Sequence, residues 1–463
     1  MGVYYRPLMM SLFAITHQLT GSDPLFFHLV QILIHIANAI FVFFLFKLFL
    51  KKSAVAFFFS LIFLVHPINA EAVLYIANTQ EVLFFFFGMT AFLLLVQTNK
   101  VLTLKRTAVI SFFLLLSLLS KETGVLFIAL AIFYAFILRK EFIKPIAFSS
   151  ALTFIIYLFF RYGLAKMQFG QIPIAPLAQA SLLERIINMP AIIFHYLQTF
   201  IFPKDLIVAD FWMVKNINIT NFYLPLLIIL VLFFAFIVLA VKYRKIYCFF
   251  FVWFIIGLIL HLQILPLDAT VADRWFYFPI VGLLGMLGII FQTTITKKIK
   301  LNLILVTFTI VLLIALSTRT FIRTFNWRDS LTLYMHDLKT QQNNFFLQNS
   351  IGAELIILGK YEEAKPYVEA SVKAFPYFGN VNNMAAIYLA EGNIDKTREY
   401  LQKALTLGDN YLVYQNYSNF LLIYDTPQNA KKFTEEALIR YPQNPKLRQN
   451  LTKAEEMLGN GKK

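Results

Sequence analysis

Apolar residues fill the first two thirds of the chain in long runs that are separated by short polar segments. Many of these runs approach the roughly 20 residues that a helix needs to cross a bilayer. Because backbone polar groups must be satisfied within hydrocarbon, such runs predict helices. We predict about ten membrane-spanning helices, near residues 25–46, 53–66, 80–97, 107–120, 122–138, 145–161, 221–241, 246–264, 274–292 and 301–318.

One long segment, 162–220, departs from this pattern. Its apolar part, 189–202, is short and is accompanied by Pro190 and Pro203. We interpret this part as an outer-surface or re-entrant helix inside an extracytoplasmic loop region. Counting it as a crossing would put the later basic loops on the opposite side from the earlier ones.

The composition excludes a soluble protein. Of the 463 residues, 59% are apolar and only 14% are charged, which is not the balance of a soluble domain. The net charge of +16 would favour nucleic acid in a soluble chain, but here much of it lies in short loops between apolar runs. We therefore predict no nucleic-acid partner. The single cysteine, Cys248, lies in an apolar run and excludes an intrachain disulfide.

Basic clusters set the orientation. They follow alternate spans, around Lys51, Lys105, Lys140, Arg244 and Lys298. The positive-inside rule places these clusters in the cytoplasm. The sequence thus predicts an integral membrane protein with both termini extracytoplasmic, in a bacterial cytoplasmic membrane, or in the endoplasmic reticulum membrane if the host is a eukaryote.

The composition becomes polar after residue 325, and a period of 33 residues appears. Gly359 recurs as Gly392, and small residues recur at Ala364, Thr397 and Ala430. This period is close to that of tetratricopeptide repeats. We predict a membrane domain over 1–325 and a tetratricopeptide α-solenoid over 326–463, with repeats at 346–378, 379–411 and 412–446. Such a solenoid usually binds a peptide or protein, and a purely structural appendage is the alternative.

A polar stretch interrupts the apolar region after the second predicted span. It contains His66, Asn69 and Glu71. A carboxylate and an imidazole there could act as acid or base, hold a metal or hydrogen-bond a sugar. In the alternative interpretation, His66 and Pro67 end the span and Glu71 begins the next helix, where its charge suits the helix dipole.

Two further breaks carry charge on the predicted outer side. Lys121 and Glu122 lie between two spans with almost no loop, either as a neutralised pair or with Lys121 bound to a lipid phosphate. Asp273 and Arg274 begin a later span, and a guanidinium there can bind a phosphodiester through two parallel hydrogen bonds. Within the first span, we expect His28 and His35 to hydrogen-bond between helices.

Several motifs occur in one order along the chain. They are Tyr5-Arg6-Pro7-Leu8, the His28…His35…Asn38 spacing, His66-Pro67…Glu71-Ala72-Val73, Ser120-Lys121-Glu122, Asp273-Arg274-Trp275-Phe276-Tyr277-Phe278-Pro279 and Trp327-Arg328-Asp329. With the repeats that follow, this order resembles the transmembrane and tetratricopeptide-repeat O-mannosyltransferase family and its prokaryotic relatives, within the GT-C glycosyltransferase superfamily. The likeness covers nearly the whole chain.

The resemblance implies a membrane glycosyltransferase that moves mannose or a similar hexose from a polyprenyl-phosphate donor to a protein acceptor on the extracytoplasmic face. It implies Glu71 and His66 as catalytic residues and Arg274 and Lys121 as phosphate-binding residues. Supporting roles fall to Asn69, Asp273 and Arg6. No further cofactor is implied, and the need for a divalent metal stays open. The implied partners are the lipid-linked sugar, membrane lipid and an acceptor held by the repeats.

One feature departs from the superfamily pattern. The key acidic residue of GT-C enzymes usually lies in the first external loop, and this sequence opens near the end of that loop. We therefore expect the first span and its acidic residues to be missing, and the sequence leaves open whether the chain as written is active. The alternative is a non-catalytic, membrane-anchored tetratricopeptide scaffold for an envelope complex. A transporter is less favoured, because few ionisable residues lie near mid-span.

Overall fold

The computed structural model describes residues 4–98, 101–167, 175–294 and 299–460. These residues form α-helices joined by turns and loops, with an isolated β-bridge between Asp210 and Val271. The prediction of an all-α fold is therefore confirmed. The chain divides into two compact units, Met1–Trp327 and Arg328–Lys463.

The first unit contains the apolar helices. In chain order they are α1 (Pro7–Thr20), α2 (Pro24–Phe49), α3 (Ser53–Val65), α4 (Ala70–Leu74), α5 (Thr79–Val96), α6 (Leu104–Ser120), α7 (Val125–Leu138), α8 (Ile143–Leu158), α9 (Leu182–Ile201), α10 (Leu224–Ile259), α11 (Pro279–Thr294) and α12 (Ile299–Asn326). Every predicted span overlaps one of these helices. The predicted non-crossing helix, 189–202, corresponds to the second half of α9.

The helix α10 contains two arms that run in opposite directions. Arg244 interrupts it with non-helical backbone angles, φ 60° and ψ −143°. The ring centroids of Phe233 and Phe251 lie 5.7 Å apart, although 18 positions separate these residues in the sequence. A straight helix would put them about 27 Å apart. The chain therefore reverses at Arg244, and the predicted spans 221–241 and 246–264 are the two arms.

Ten spans were predicted, but fewer than ten of the described helices are individually long enough to cross a membrane. Among the described residues five are sufficiently long and apolar, or six if the bent pair Ser53–Val65 and Pro67–Leu74, inclined by 47°, counts as one span. The segment Ile219–Ile259, which contains both antiparallel arms of α10, is counted as one of the five. Short apolar helices such as Glu122–Leu138 and Pro279–Thr293 correspond to the other predicted spans. The number of crossings stays a prediction.

Several helices of the first unit begin or end at residues that cap or interrupt them. Asp23 caps α2 by accepting a hydrogen bond from the backbone N–H of Leu25 at 2.9 Å. Pro67 ends α3, because the residue before a proline is disfavoured in the helical region, and His66 is extended with φ −69° and ψ 127°. Lys121 is likewise extended, with φ −158° and ψ 145°, and separates α6 from α7. Polar residues thereby come to lie at the breaks between apolar helices.

The core of the first unit is rich in aromatic residues and also contains buried polar contacts. The rings of Phe92 and Phe249 stack with centroids 5.7 Å apart. The Tyr277 hydroxyl lies 2.7 Å from Nδ1 of His35 and accepts a hydrogen bond from the Asn38 amide at 3.1 Å. Because Nε2 of His35, in α2, lies 3.0 Å from the carbonyl oxygen of Leu64, in α3, the prediction of interhelical hydrogen bonding is confirmed for His35.

The second unit is a helical solenoid. Its helices are α13 (Ser330–Thr340), α14 (Phe345–Ile357), α15 (Tyr361–Ala374), α16 (Phe378–Ala390), α17 (Ile394–Leu407), α18 (Tyr411–Tyr424), α19 (Pro427–Arg440) and α20 (Pro445–Asn460). The first helices of three successive pairs begin at Phe345, Phe378 and Tyr411, which are 33 residues apart. Gly359 and Gly392 occupy equivalent turns with φ of +74° and +73°, a conformation that glycine adopts without strain.

Candidate functional site

Three short 3₁₀ turns at breaks between apolar helices carry or directly follow most of the predicted site residues. The turn Pro67–Asn69 follows α3, Glu122–Gly124 follows α6, and Asp273–Phe276 precedes α11. The first and third turns contact each other, and α4, which carries Glu71, packs against the third. The second turn contacts the helix α5 that follows α4. Residues distant in sequence therefore meet in one region of the first unit.

Glu71 and Arg274 form a buried ion pair. One carboxylate oxygen, Oε2, accepts a hydrogen bond from the Arg274 backbone N–H at 2.9 Å. The other, Oε1, accepts one from Nη1 of the guanidinium. Glu71 is only 3% exposed, and the Arg274 side chain is 16% exposed. The guanidinium also faces the carboxylate of Asp268, with Nη2 and Oδ2 4.0 Å apart.

Lys121 does not pair with its neighbour in the sequence. Its ammonium group instead forms an ion pair with Glu81, the third residue of α5. Both side chains are buried, with exposed fractions of 8% for Lys121 and 2% for Glu81. The interpretation of Lys121 and Glu122 as a mutually neutralising pair is thus corrected. An isolated buried charge is costly, and this long-range contact supplies the counter-charge.

Glu122 turns instead toward two arginines. Its Oε1 accepts a hydrogen bond from Arg161 at 3.0 Å, and its Oε2 accepts one from Arg6 at 3.5 Å. Arg161 also donates to the Tyr157 hydroxyl at 2.9 Å. The predicted supporting residue Arg6 is therefore part of the charged cluster.

Tyr4 connects these contacts. Its ring lies 4.1 Å from the guanidinium carbon of Arg6, and its hydroxyl donates to Asp268 at 3.5 Å. Burial raises the pKa of the Tyr4 phenol, and the Asp268 carboxylate raises it further, whereas Arg6 and Arg274 oppose the shift. We call the set of Arg6, Glu71, Glu81, Lys121, Glu122, Arg161, Asp268 and Arg274 the charge cluster. It contains both predicted phosphate-binding residues and one of the two predicted catalytic residues.

Two of the three remaining predicted site residues, His66 and Asn69, contact backbone groups. Nε2 of His66 lies 2.9 Å from the carbonyl oxygen of Phe200, and Nδ1 accepts from the Ile68 N–H at 3.2 Å. The amide of Asn69 donates to the Phe63 carbonyl at 2.7 Å. Asp273 is buried beside Arg274, with 5% of its surface exposed. These contacts hold the turns in place, and catalysis by His66 stays a prediction.

The charge cluster contains cations that could bind phosphate and carboxylates that could accept a proton. In the described part of the chain, no three His, Cys, Asp or Glu residues are grouped closely enough to hold a metal ion. We therefore derive no step through a metal.

Sequence reasoning missed three members of the charge cluster, namely Glu81, Arg161 and Asp268. Glu81 ends the polar stretch Asn78–Glu81 at the start of an apolar helix, which is a recognisable signal. Arg161 ends another apolar run. Their partners lie 39 or 40 positions away, so the pairing depends on how the helices pack.

The fold and the charge cluster define an integral membrane protein with apolar helices, a buried charged region and a helical solenoid. Comparison with known proteins specifies its relatives. The chain is 27% identical over 389 residues to a protein O-mannosyl-transferase of Caenorhabditis elegans, covering 81% of the chain and 54% of that protein. It is 24% identical over 442 residues to Protein O-mannosyl-transferase TMTC3 of Homo sapiens, covering 85% and 47%.

A shorter match is closer in sequence. Protein O-mannosyl-transferase TMTC1 of Homo sapiens is 34% identical over 144 residues, which cover 28% of the chain and 16% of that protein. The chain is therefore a relative of the protein O-mannosyl-transferases, and the resemblance seen in its motifs is confirmed. It spans about half the length of the first two relatives. No family model matches the chain. No solved structure matches it either.

Proposed function

We propose that this chain is a membrane glycosyltransferase that moves mannose or a similar hexose from a polyprenyl-phosphate donor to a protein acceptor on the extracytoplasmic face. The observation that carries the proposal is the charge cluster, in which two cations, Arg274 and Lys121, lie near two buried carboxylates, Glu71 and Glu81. The relationship to protein O-mannosyl-transferases supports the type of reaction. The likeness to the GT-C superfamily supports a lipid-linked donor.

The reaction is a single displacement at the anomeric carbon. The hydroxyl oxygen of the acceptor forms a bond to this carbon while the bond from the carbon to the donor phosphate oxygen breaks, and the configuration inverts. Glu71 takes the hydroxyl proton, and polyprenyl phosphate leaves with the bonding electrons. Arg274 and Lys121 stabilise the charge that develops on the phosphate.

In this mechanism Arg274 interacts with both Glu71 and the donor phosphate. Glu71 accepts from one guanidinium N–H and from the backbone N–H, and a guanidinium has further N–H donors that can bind a phosphate. The resting ion pair also holds the Glu71 carboxylate in one orientation, in a region from which water is largely excluded. Arrival of the donor phosphate would draw Arg274 partly away from Glu71 and so make this carboxylate a stronger base.

The solenoid is the proposed acceptor-binding unit, with three tetratricopeptide repeats. The first helices of successive pairs pack against one another, α14 with α16, α16 with α18 and α18 with α20, as on the inner surface of a solenoid. Along them the amides of Asn383 and Asn416 donate to Asn349 and Asn382 at 2.9 and 3.0 Å. A row of amides of this kind can hydrogen-bond the backbone of a peptide.

The test is transfer of labelled mannose from polyprenyl-phosphate mannose to protein, in membranes that contain the full chain. Glu71→Gln should lower the turnover number by about 100- to 10,000-fold, the range for loss of a general base. Glu141→Gln is the matched control, because Glu141 is an exposed carboxylate paired with Arg139 outside the charge cluster. Membrane insertion of both variants should match the parent chain. Glu71→Gln keeps the size of the side chain but leaves Arg274 without its buried counter-charge, so transfer is compared at a temperature at which both variants stay folded.

A second candidate function is a membrane-anchored scaffold for an envelope complex. The observation in its favour is that Glu71 and Glu81 are each already neutralised by a cation. Such pairs would stabilise a membrane domain without any reaction. If the inserted parent chain transfers no sugar from any polyprenyl-phosphate donor while its repeats still bind partners, the glycosyltransferase proposal is wrong and the scaffold replaces it.

A further inference from the structure

A second charged region lies away from the charge cluster. A cavity of about 410 Å³ opens where α2 ends, α3 begins, α10 reverses and α11 ends. Its lining includes four basic residues, Lys51, Lys52, Lys242 and Arg244. We call it the basic cavity.

The basic cavity and the charge cluster lie at opposite ends of the same helices. α3 begins beside Lys52 at the cavity and ends at Val65, just before the turn that leads to Glu71. α11 begins shortly after Arg274 and ends at Thr294, next to cavity residues. The 16 residues of α11 span about 24 Å. The basic cavity is therefore separate from the proposed donor site, and the positive-inside pattern puts it on the cytoplasmic side.

The cations of the basic cavity have no carboxylate partner among the residues that the structure describes. All four side chains are exposed, and within the described residues none of them forms a salt bridge and no Asp or Glu lines the cavity. Polar groups complete the rim, since Gln292 accepts a hydrogen bond from the Lys51 backbone N–H at 2.9 Å. Like charges gathered without a carboxylate repel one another, and an anion would relieve that repulsion.

The backbone conformation at Arg244 also supports an anion-binding site. Its φ of 60° and ψ of −143° lie outside the regions that residues with a side chain favour, and glycine would fit this reversal without strain. The chain nevertheless places a guanidinium there. Strain of this kind clusters at binding and active sites, and here the Arg244 side chain lines the cavity.

We propose that the basic cavity binds the phosphate headgroup of an anionic phospholipid such as phosphatidylglycerol. Besides the cations, its lining includes Phe49, Ile246 and Ile289, which offer apolar surface to acyl chains and none to a free phosphate ion. Basic pockets between membrane helices on the cytoplasmic side bind anionic headgroups in this manner. The bound lipid would join the reversal of α10 to the ends of α2 and α11.

The test titrates the purified full chain, in micelles that contain phosphatidylcholine, with phosphatidylglycerol and counts bound lipids by native mass spectrometry. Lys52→Gln/Lys242→Gln should weaken binding about 30-fold. Lys105→Gln/Lys144→Gln removes the same charge from exposed positions elsewhere on the predicted cytoplasmic side and should leave binding unchanged. Arg244→Gly removes one cation while easing the backbone, so it should fold at least as well and bind about fivefold more weakly.

Three results would overturn the proposal. Equal losses in the cavity and control variants would show a general effect of surface charge. Equal binding of phosphatidylcholine would show that the headgroup charge is irrelevant. Displacement of phosphatidylglycerol by an equal concentration of inorganic phosphate would show a site for free anions rather than lipid. None of these measurements depends on sugar transfer, so the proposal stands or falls separately from the proposed function.

Discussion

The two ends of the membrane helices carry charge in opposite ways. At one end Glu71 and Glu81 are buried and each contacts a cation from another element. At the other end Lys52 and Arg244 are exposed, and the described part of the chain gives them no carboxylate. The number of cations does not separate these ends, because the charge cluster and the basic cavity each contain four. Pairing and burial separate them. A buried ion pair fixes the positions of its two side chains, whereas exposed cations create a positive electrostatic potential.

The largest expected difference between the ends concerns stability. Lys121→Met would leave the Glu81 carboxylate buried without its partner and should lower the free energy of unfolding by about 3–5 kcal/mol. Lys52→Met at the other end should change it by less than about 0.5 kcal/mol. Thermal unfolding in lipid-containing micelles measures both. The double variant Lys121→Met/Glu81→Gln should recover most of the loss, and equal effects of the two lysine substitutions would contradict the comparison.

The next difference concerns the shape of the cation. Arg274→Lys keeps the charge but loses the planar fork, so it should raise the KM for the lipid-linked donor roughly tenfold. Arg244→Lys should leave the affinity for phosphatidylglycerol within about twofold, since a point charge serves an exposed headgroup equally well. Steady-state kinetics and lipid titration give the two values. A large loss in both variants would mean that the basic cavity is as geometrically specific as the charge cluster.

A smaller effect should appear at Glu122, which has two arginine partners. Arg161→Gln should cost about 1 kcal/mol of unfolding free energy, because Arg6 still holds the carboxylate. Arg6→Gln should cost a similar amount. Removing both arginines should cost more than the two single losses added together, because Glu122 is then left without a counter-charge. Strict additivity in a double-mutant cycle would show that the three side chains do not act as a unit.

The smallest effect concerns salt. Raising the ionic strength from a low to a physiological value should weaken phosphatidylglycerol binding severalfold, because the cations of the basic cavity are exposed to solvent ions. The stability loss caused by Lys121→Met should stay the same over this range, because its ion pair is buried. Repeating the lipid titration and the unfolding measurement at two salt concentrations checks both statements. A loss that fades with salt would show that ions reach Glu81.

The helices of both units could be predicted because they depend on local patterns. Each apolar run from which a span was predicted contains a helix. Helix pairs begin at Phe345, Phe378 and Tyr411, as the 33-residue period predicts. Even the reversal within α10 was predicted, since a basic cluster around Arg244 divides the apolar run. Period and composition are properties of neighbouring residues, so they survive without knowledge of tertiary contacts.

The contacts of the candidate site could be predicted only in part. Glu71, Lys121 and Arg274 were recognisable because charge in apolar surroundings requires an explanation. Their pairing was not recognisable, because Glu71 contacts Arg274, 203 positions away, and Lys121 contacts Glu81 rather than the adjacent Glu122. Partner choice depends on how α5, α6 and the turns between spans pack, which no local pattern specifies. His66 was also recognisable as a polar residue at a break between helices, but its ring nitrogens contact backbone groups rather than the charge cluster.

The constant spacing of the solenoid helices has an evolutionary consequence. Because equivalent helices begin 33 residues apart, duplication or deletion of one such unit joins two interfaces that already exist in the molecule. Under the proposed function, a lineage could therefore lengthen or shorten the proposed acceptor-binding surface one module at a time. Such a change leaves the sequence of the membrane helices and of their buried charges as it is, so the range of acceptors could change while the proposed chemistry stays the same.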